Sequence, residues 1–273
     1  MAKTVDVPTE LREFNTVFDS VAGYKWDDAK VFHDLCDYII ACLLIDGDKD
    51  CAERLEKEYK DEYPKFKEMF RELLLAHDKV LNRKEWYDGL GTFYEVIKSS
   101  SKSSALGQYF TPESLVDCMV QIQLGEDLPK GKTINDPASG SGRFLIAFHA
   151  NAPGNFQYGC DIDTICAKMT AINMCLSGCV GQAVCGDALQ LIDSFRFGYD
   201  INPLLTFHKM PGIKIIEKEA SFEYRIARNA NSIKAEPKEP EKEPEVKVKI
   251  PKGDFVAPAV EIVMEKSGQF SMF

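Results

Sequence analysis

The residues best suited to chemistry lie between Asp136 and Asp187. Asp136-Pro137-Ala138-Ser139-Gly140-Ser141-Gly142-Arg143-Phe144-Leu145 sets two glycines ahead of an apolar run. Gly140 and Gly142 carry no Cβ, so the backbone there can approach a ligand closely. A helix that starts after them offers unpaired N–H groups and the positive end of its dipole, which suits a ligand carboxylate. Asp136 is placed to accept from a cationic ammonium, with Ala138 in the same turn. Roughly 20 residues on, Gly159-Cys160-Asp161-Ile162-Asp163 gives an acidic strand end suited to two ribose hydroxyls. Ile162 beside it can pack against a purine. Cys185-Gly186-Asp187-Ala188-Leu189 supplies a third acidic end, with Asp187 able to accept from an exocyclic amino group and Ala188 next to it. A glycine-rich turn alone is as readily a tight strand-to-helix connection. Three acidic strand ends in chain order, on one edge of a sheet, instead describe a nucleoside crevice.

The elements needed to hold these residues are legible around them. Thr133–Asp136, Phe156–Asp161 and Ala183–Asp187 read as short strands, and Arg143–Asn151 and Thr164–Ser177 between them as helices. Strands alternating with helices imply a parallel sheet with right-handed crossovers, an α/β class with a Rossmann-like sheet. Ahead of it, apolar stripes at three-four spacing (Val31, Leu35, Tyr38, Ile39, Cys42, Leu43; then Phe66, Met69, Phe70, Leu73, Leu74; then Trp86, Leu90, Phe93, Tyr94, Ile97) predict a helical N-terminal domain over residues 1–105. The sheet domain is expected over 106–232. Within it, Ile213, Ile215 and Ile216 followed by Phe222, Tyr224 and Ile226 read as a hairpin. Residues 233–268 are rich in Lys, Glu and Pro, a composition that cannot bury a core, and are expected to form a disordered linker.

Gly107-Gln108-Tyr109-Phe110-Thr111-Pro112, together with Asp136 to Leu145, resembles the N6-adenine DNA methylases, above all the modification subunits of type I restriction systems. Asp88-Gly89-Leu90-Gly91-Thr92-Phe93-Tyr94-Glu95 and the helical N-terminal domain resemble them as well. The resemblance covers roughly Trp86 to Leu189. It implies S-adenosylmethionine as cofactor, with Tyr109, Phe110 and Thr111 flanking its methionine end, Asp136 to Gly142 holding the amino-acid part, Asp161 the ribose and Asp187 the adenine. It also implies DNA as substrate and a specificity subunit as partner.

That family needs Asn or Asp followed by Pro-Pro-aromatic at the end of a fourth strand. There the amide oxygen and a proline carbonyl accept from the target amino group, and the ring stacks on a flipped base. The candidate here is Asn202-Pro203-Leu204-Leu205, with Asn202 and Pro203 as catalytic residues. Leu204 stands where the second proline belongs and Leu205 where the aromatic belongs. Stacking of that kind is worth roughly 1–3 kcal/mol per base. The preceding segment, Phe195 to Ile201, is too polar for a strand buried on both faces, and Asn202-Pro203 reads rather more readily as a turn than as a working motif. Two functions follow: an adenine-N6 DNA methyltransferase, or a catalytically silent cofactor-binding accessory protein. A methyltransferase acting on protein or small molecules is disfavoured by the Gln-Tyr-Phe-Thr-Pro element.

Residues 269–273, Gln269-Phe270-Ser271-Met272-Phe273, resemble the pentapeptide that binds the bacterial β sliding clamp, with Phe270, Met272 and Phe273 as apolar anchors and Gln269 at the rim. Such a tether raises effective concentration near DNA. It would answer a difficulty in the composition: the chain of 273 residues has a net charge of −10, whereas proteins that grip DNA unaided present a basic patch. Hydrophobic residues make up 45% and the mean hydropathy is −0.23, with no run long enough for a membrane helix. Nine irregularly spaced cysteines and four scattered histidines predict reduced thiols, no metal and a cytoplasmic setting. Met1 to Glu10 lacks the pattern of a signal peptide.

Overall fold

The computed structural model describes residues 7–23, 25–100, 110–125 and 129–234. Tyr109, the linker beyond Lys234 and the 269–273 pentapeptide lie outside them. The described residues up to Ile233 form one compact unit. Its first part is helical: α1 (Arg12–Asp19), α2 (Asp28–Leu43), α3 (Lys49–Tyr59), α4 (Pro64–Leu81) and α5 (Gly89–Ser100). Most residues of the foreseen stripes lie on the buried faces of α2, α4 and α5, though Cys42 and Leu74 are exposed, and Phe14, Phe18, Phe32 and Phe93 meet with ring centroids 4.7 to 6.3 Å apart. The helices start where local chemistry allows. Asp48 caps α3 by accepting from the Cys51 N–H, and Pro64 opens α4, where a missing N–H costs nothing.

After α6 (Glu113–Leu124) the chain runs β1 (Thr133–Asp136), α7 (Arg143–Asn151), β2 (Phe156–Asp161), α8 (Thr164–Leu176), β3 (Val180–Cys185), β4 (Phe197–Ile201), α9 (Leu205–His208), β5 (Ile213–Ile216) and α10 (Phe222–Lys234). The sheet order is β1-β2-β3-β4-β5. The first three strands are parallel, as expected, with Asp136 beside Gly159 and Asp161 beside Cys185. β4 alone is reversed, antiparallel to both β3 and β5, so the sheet is mixed rather than parallel throughout.

Two expectations are corrected here. Phe195 to Ile201 does contain a strand. Its polar residues are accommodated because β4 is reversed and polar side chains pair across the ladder, Gln182 donating to Asp200 at 2.7 Å. The hairpin over 212–228 is only half present: β5 pairs with β4, but Phe222, Tyr224 and Ile226 belong to helix α10. The hydroxyl of Ser221 accepts from the Tyr224 N–H and starts that helix. Phe222 then packs on Phe156 and Tyr158, covering the sheet face opposite α7 and α8. No helix among the described residues is long and apolar enough to cross a membrane, and no group of metal-ligating side chains is found among them. None of the nine cysteines is in a disulfide.

Candidate functional site

Parallel alignment of β1, β2 and β3 brings Asp136, Asp161 and Asp187 to the same carboxyl edge in chain order. The turn after β1 is held rigidly. Ser139 donates its N–H to the Cys160 carbonyl at 2.9 Å, and its hydroxyl meets that of Thr170 on α8 at 3.0 Å. Asn173, one helical turn further, donates to the Ser141 carbonyl at 2.8 Å. Gly140 has φ +55°, and a Cβ there would lie 2.8 Å from the ring of Phe110. Glycine is required at this point both for the backbone angle and for that approach. Gly142, at φ +81°, caps α7.

Phe110, Thr111, Asp136, Ala138 and Gly140 line one cavity of about 340 Å³ between the Gly140 turn, α6 and α7. Asp161 adjoins it, its carboxylate accepting from the Gly140 N–H at 2.8 Å and from the Asp163 N–H at 2.8 Å. Ile162, 56% exposed, projects from the same edge. Asp187 and Ala188 lie one strand further along. There the Asp187 carboxylate accepts from the Leu189 N–H at 2.9 Å and the Gln190 amide at 2.8 Å, so it is engaged in its own turn. Burial raises the carboxyl of Asp136 above its ordinary range, with the nearby Asp161 adding to the rise and the Ala138 N–H opposing it. Burial likewise raises Asp161, against hydrogen bonds from the Asp163 and Gly140 N–H groups. An edge with two elevated carboxyls favours a ligand that brings a cation and hydroxyl donors.

Asn202 and Pro203 are not part of this arrangement. Ile201 pairs with Gly181 at the start of β3, so the reversed β4 delivers Asn202 to the opposite, amino-terminal edge of the sheet. Asn202 is fully buried, with φ +55°. Its amide donates to the carbonyls of Cys175 at 3.0 Å and Cys179 at 2.8 Å, and its oxygen accepts from the Gly212 N–H at 3.0 Å. All of these bonds are structural, tying α8, β3 and β5 together. The turn alternative is the one realised, with the Leu205 N–H returning to the Asn202 carbonyl at 3.1 Å. Asn202→Ala is therefore expected to cost about 2–4 kcal/mol by stranding buried partners. It should lower the melting temperature while leaving ligand affinity at the opposite edge within about twofold, as calorimetry on the folded variant would read.

Sequence reasoning quoted Asp88, Glu95 and Arg143 but gave them no role. Arg143, the first residue of α7, is 5% exposed and Asp88 is 0% exposed. The Asp88 carboxylate accepts from the Gly91 N–H (2.8 Å), the Ser141 hydroxyl (2.5 Å), Nε of Arg143 (2.9 Å) and Nδ2 of Asn173 (2.7 Å). It thereby joins the start of α5 to the Gly140 turn and α8. The available signal was an acid placed immediately before an apolar helical stripe, where it can cap the helix, with a second acid, Glu95, seven residues on.

Residues 85–195 match the family model described as N-6 DNA Methylase. The HindI methylase subunit of a type I restriction enzyme from Haemophilus influenzae is 33% identical over 101 residues, which are 33% of this chain and 22% of that protein. The match thus spans under a quarter of that relative's length. Among solved structures, a class I S-adenosylmethionine-dependent methyltransferase from Listeria monocytogenes is 11% identical with TM-score 0.42, over 66% of this chain and 54% of that one. A type I restriction-modification methyltransferase subunit from Streptococcus thermophilus is 22% identical with TM-score 0.33, over 61% and 37%.

Proposed function

Because residues 85–195 match the N-6 DNA methylase family, whose cofactor is S-adenosylmethionine, we propose that this chain provides the cofactor-holding half of an adenine-N6 DNA methylation system of the type I modification kind. The observation that carries this reading is the cavity walled by Phe110 and Gly140 next to the elevated carboxyls of Asp136 and Asp161. The cavity lies within the range usual for small-ligand pockets, and its donor and acceptor set fits the proposed group. Asp136 would hold the ammonium, Asp161 the ribose hydroxyls, and Ile162 and Ala188 would flank the purine, with Asp187 at its amino group. Phe110, Thr111 and Gly142 would border the methionine part, together with Tyr109. When bound, S-adenosylmethionine supplies the methyl group. The chain's own residues orient it and exclude water from one side.

Presentation of the target amino group is assigned to a partner rather than to Asn202, which is buried and fully bonded at the other edge. The net charge of −10 agrees with DNA being gripped by that partner, a specificity subunit or the β sliding clamp reached through Gln269, Phe270, Met272 and Phe273. Transfer of tritiated methyl to adenine-unmethylated genomic DNA tests the reading, with S-adenosylmethionine binding measured on the same sample. Binding with transfer by the chain alone would restore a catalytic group to it. Binding without transfer supports the division proposed, and no binding removes it. The same burial of Asn202 favours the second reading, a silent accessory protein, if addition of a specificity subunit also yields no transfer. For the clamp, deletion of residues 269–273 should abolish capture in a pull-down; unchanged capture would count against that partner.

The elevated carboxyls make the affinity depend on pH. A carboxyl whose folded pKa is raised opposes folding once ionised. The unliganded protein therefore gains stability as pH falls through the raised values and gains no more below the ordinary value near 3.8. A ligand ammonium needs Asp136 ionised, so affinity moves the other way. It should weaken as pH falls through the raised value of Asp136, with protons released on binding there. Calorimetry in two buffers of different ionisation enthalpy measures both.

A further inference from the structure

Phe110 and Thr111 form a wall of the cavity without belonging to a helix or a strand, so side chains from elsewhere must hold their backbone. Arg143 is the residue that reaches them. Its Nη1 donates to the Thr111 carbonyl at 2.8 Å, and its guanidinium carbon lies 5.1 Å from the centre of the Phe110 ring. Its Nη2 lies 3.5 Å from Glu95, and the other oxygen of Glu95 accepts from the Phe110 N–H at 2.9 Å. Nε is committed to Asp88, the carboxylate that also receives the Ser141 hydroxyl from the Gly140 turn. One planar fork thus refers the wall and the floor of the cavity to the same buried anion.

We propose that Arg143 is a positioning residue, which together with Glu95 seats Phe110 and Thr111 against Gly140 and so sets the affinity of the cavity for its cofactor. The affinity part rests on the reading above; the seating part stands on the hydrogen bonds alone. Lysine cannot replace this arginine. It keeps one positive charge but loses the fork that serves Asp88, Thr111 and Glu95 together, and it loses the flat surface against the Phe110 ring. Glu95 adds a constraint that the guanidinium does not supply, because only it holds the Phe110 N–H.

The experiment is hydrogen exchange at the Phe110 amide in the full chain, with and without S-adenosylhomocysteine, alongside calorimetric affinity and thermal unfolding. In R143K the Phe110 amide should exchange at least about tenfold faster than in the wild type, with affinity weakened about tenfold, the equivalent of one charge-assisted bond. Amides in the middle of α2 should stay protected, which a general loss of stability would not allow. E95A leaves the Arg143–Asp88 pair intact, removes the acceptor of the Phe110 N–H and keeps the proposal testable should R143K fold poorly; it should deprotect Phe110 selectively with a smaller loss of affinity. Wild-type exchange at Phe110 in both folded variants overturns the seating role. Selective deprotection with unchanged affinity overturns the link to the cofactor. A wild-type chain that binds no S-adenosylhomocysteine defeats the cofactor reading alone, and the exchange result then decides the seating role.

Discussion

Replacing Asp88 with alanine is expected to destabilise the protein by about 3–5 kcal/mol, the cost of leaving a buried charge without its partner. The side chain is fully buried and four donors converge on it. Its removal strands the guanidinium of Arg143, the Asn173 amide and the Ser141 hydroxyl, and it also takes the cap from α5. In a chain of this size such a loss lowers the melting temperature on the order of 10 °C. Asp88→Asn separates the contributions. It keeps an acceptor for the Gly91 N–H but removes the negative charge facing Arg143, so it should fall between wild type and alanine. Thermal unfolding of the three proteins, followed by circular dichroism, checks the order. If Asp88→Asn matches wild type, the charge on Asp88 is not what matters.

The second large effect is on ligand affinity. Gly140→Ala should weaken S-adenosylhomocysteine binding about a hundredfold, or about 2.7 kcal/mol. The new methyl group would sit 2.8 Å from the Phe110 ring at a residue with φ +55°. Either the ring leaves the cavity wall or the turn opens, and both spoil the site. The backbone angle alone costs about 1 kcal/mol. Gly47 provides the control, because it has φ +71° and open space where a Cβ would go. Gly47→Ala should carry a similar loss of stability and leave affinity unchanged. Equal affinity losses in the two variants would show that the Phe110 contact is irrelevant.

The acidic carboxyl edge of the sheet was legible because its signals are local. Thr133–Asp136 and Phe156–Asp161 are bounded by turn residues, and each ends in an acid, so strand and function are written in the same few positions. The reversed strand β4 was not legible. Strand direction is not carried by the composition of Phe197–Ile201; it follows from pairing with β3 and from the Gln182–Asp200 contact, which join residues 18 positions apart. Phe222, Tyr224 and Ile226 misled because they alternate, while Phe222 and Ile226 also fall four apart, and a short window cannot separate the two periods. Ser221 followed by Glu223 was the overlooked helix-start signal. Asn202 was read as chemistry because asparagine before proline has that role in the resembling family. Asparagine also tolerates left-handed backbone in a turn, and the three-way bonding seen here uses that property.

β1 is an edge strand of the sheet, four residues long with exposed and partly buried residues alternating, and among the described residues nothing pairs with its far side. A strand with one neighbour is fastened by half the ladder bonds of a central one, so it opens locally at a smaller free energy than the whole molecule. The turn that carries Asp136 and Gly140 grows directly from it. Order at the end of that strand is then partly conferred by whatever fills the cavity. The empty protein should show fraying there well below its melting temperature, and ligand should act on this corner as the missing neighbour does in a complete sheet.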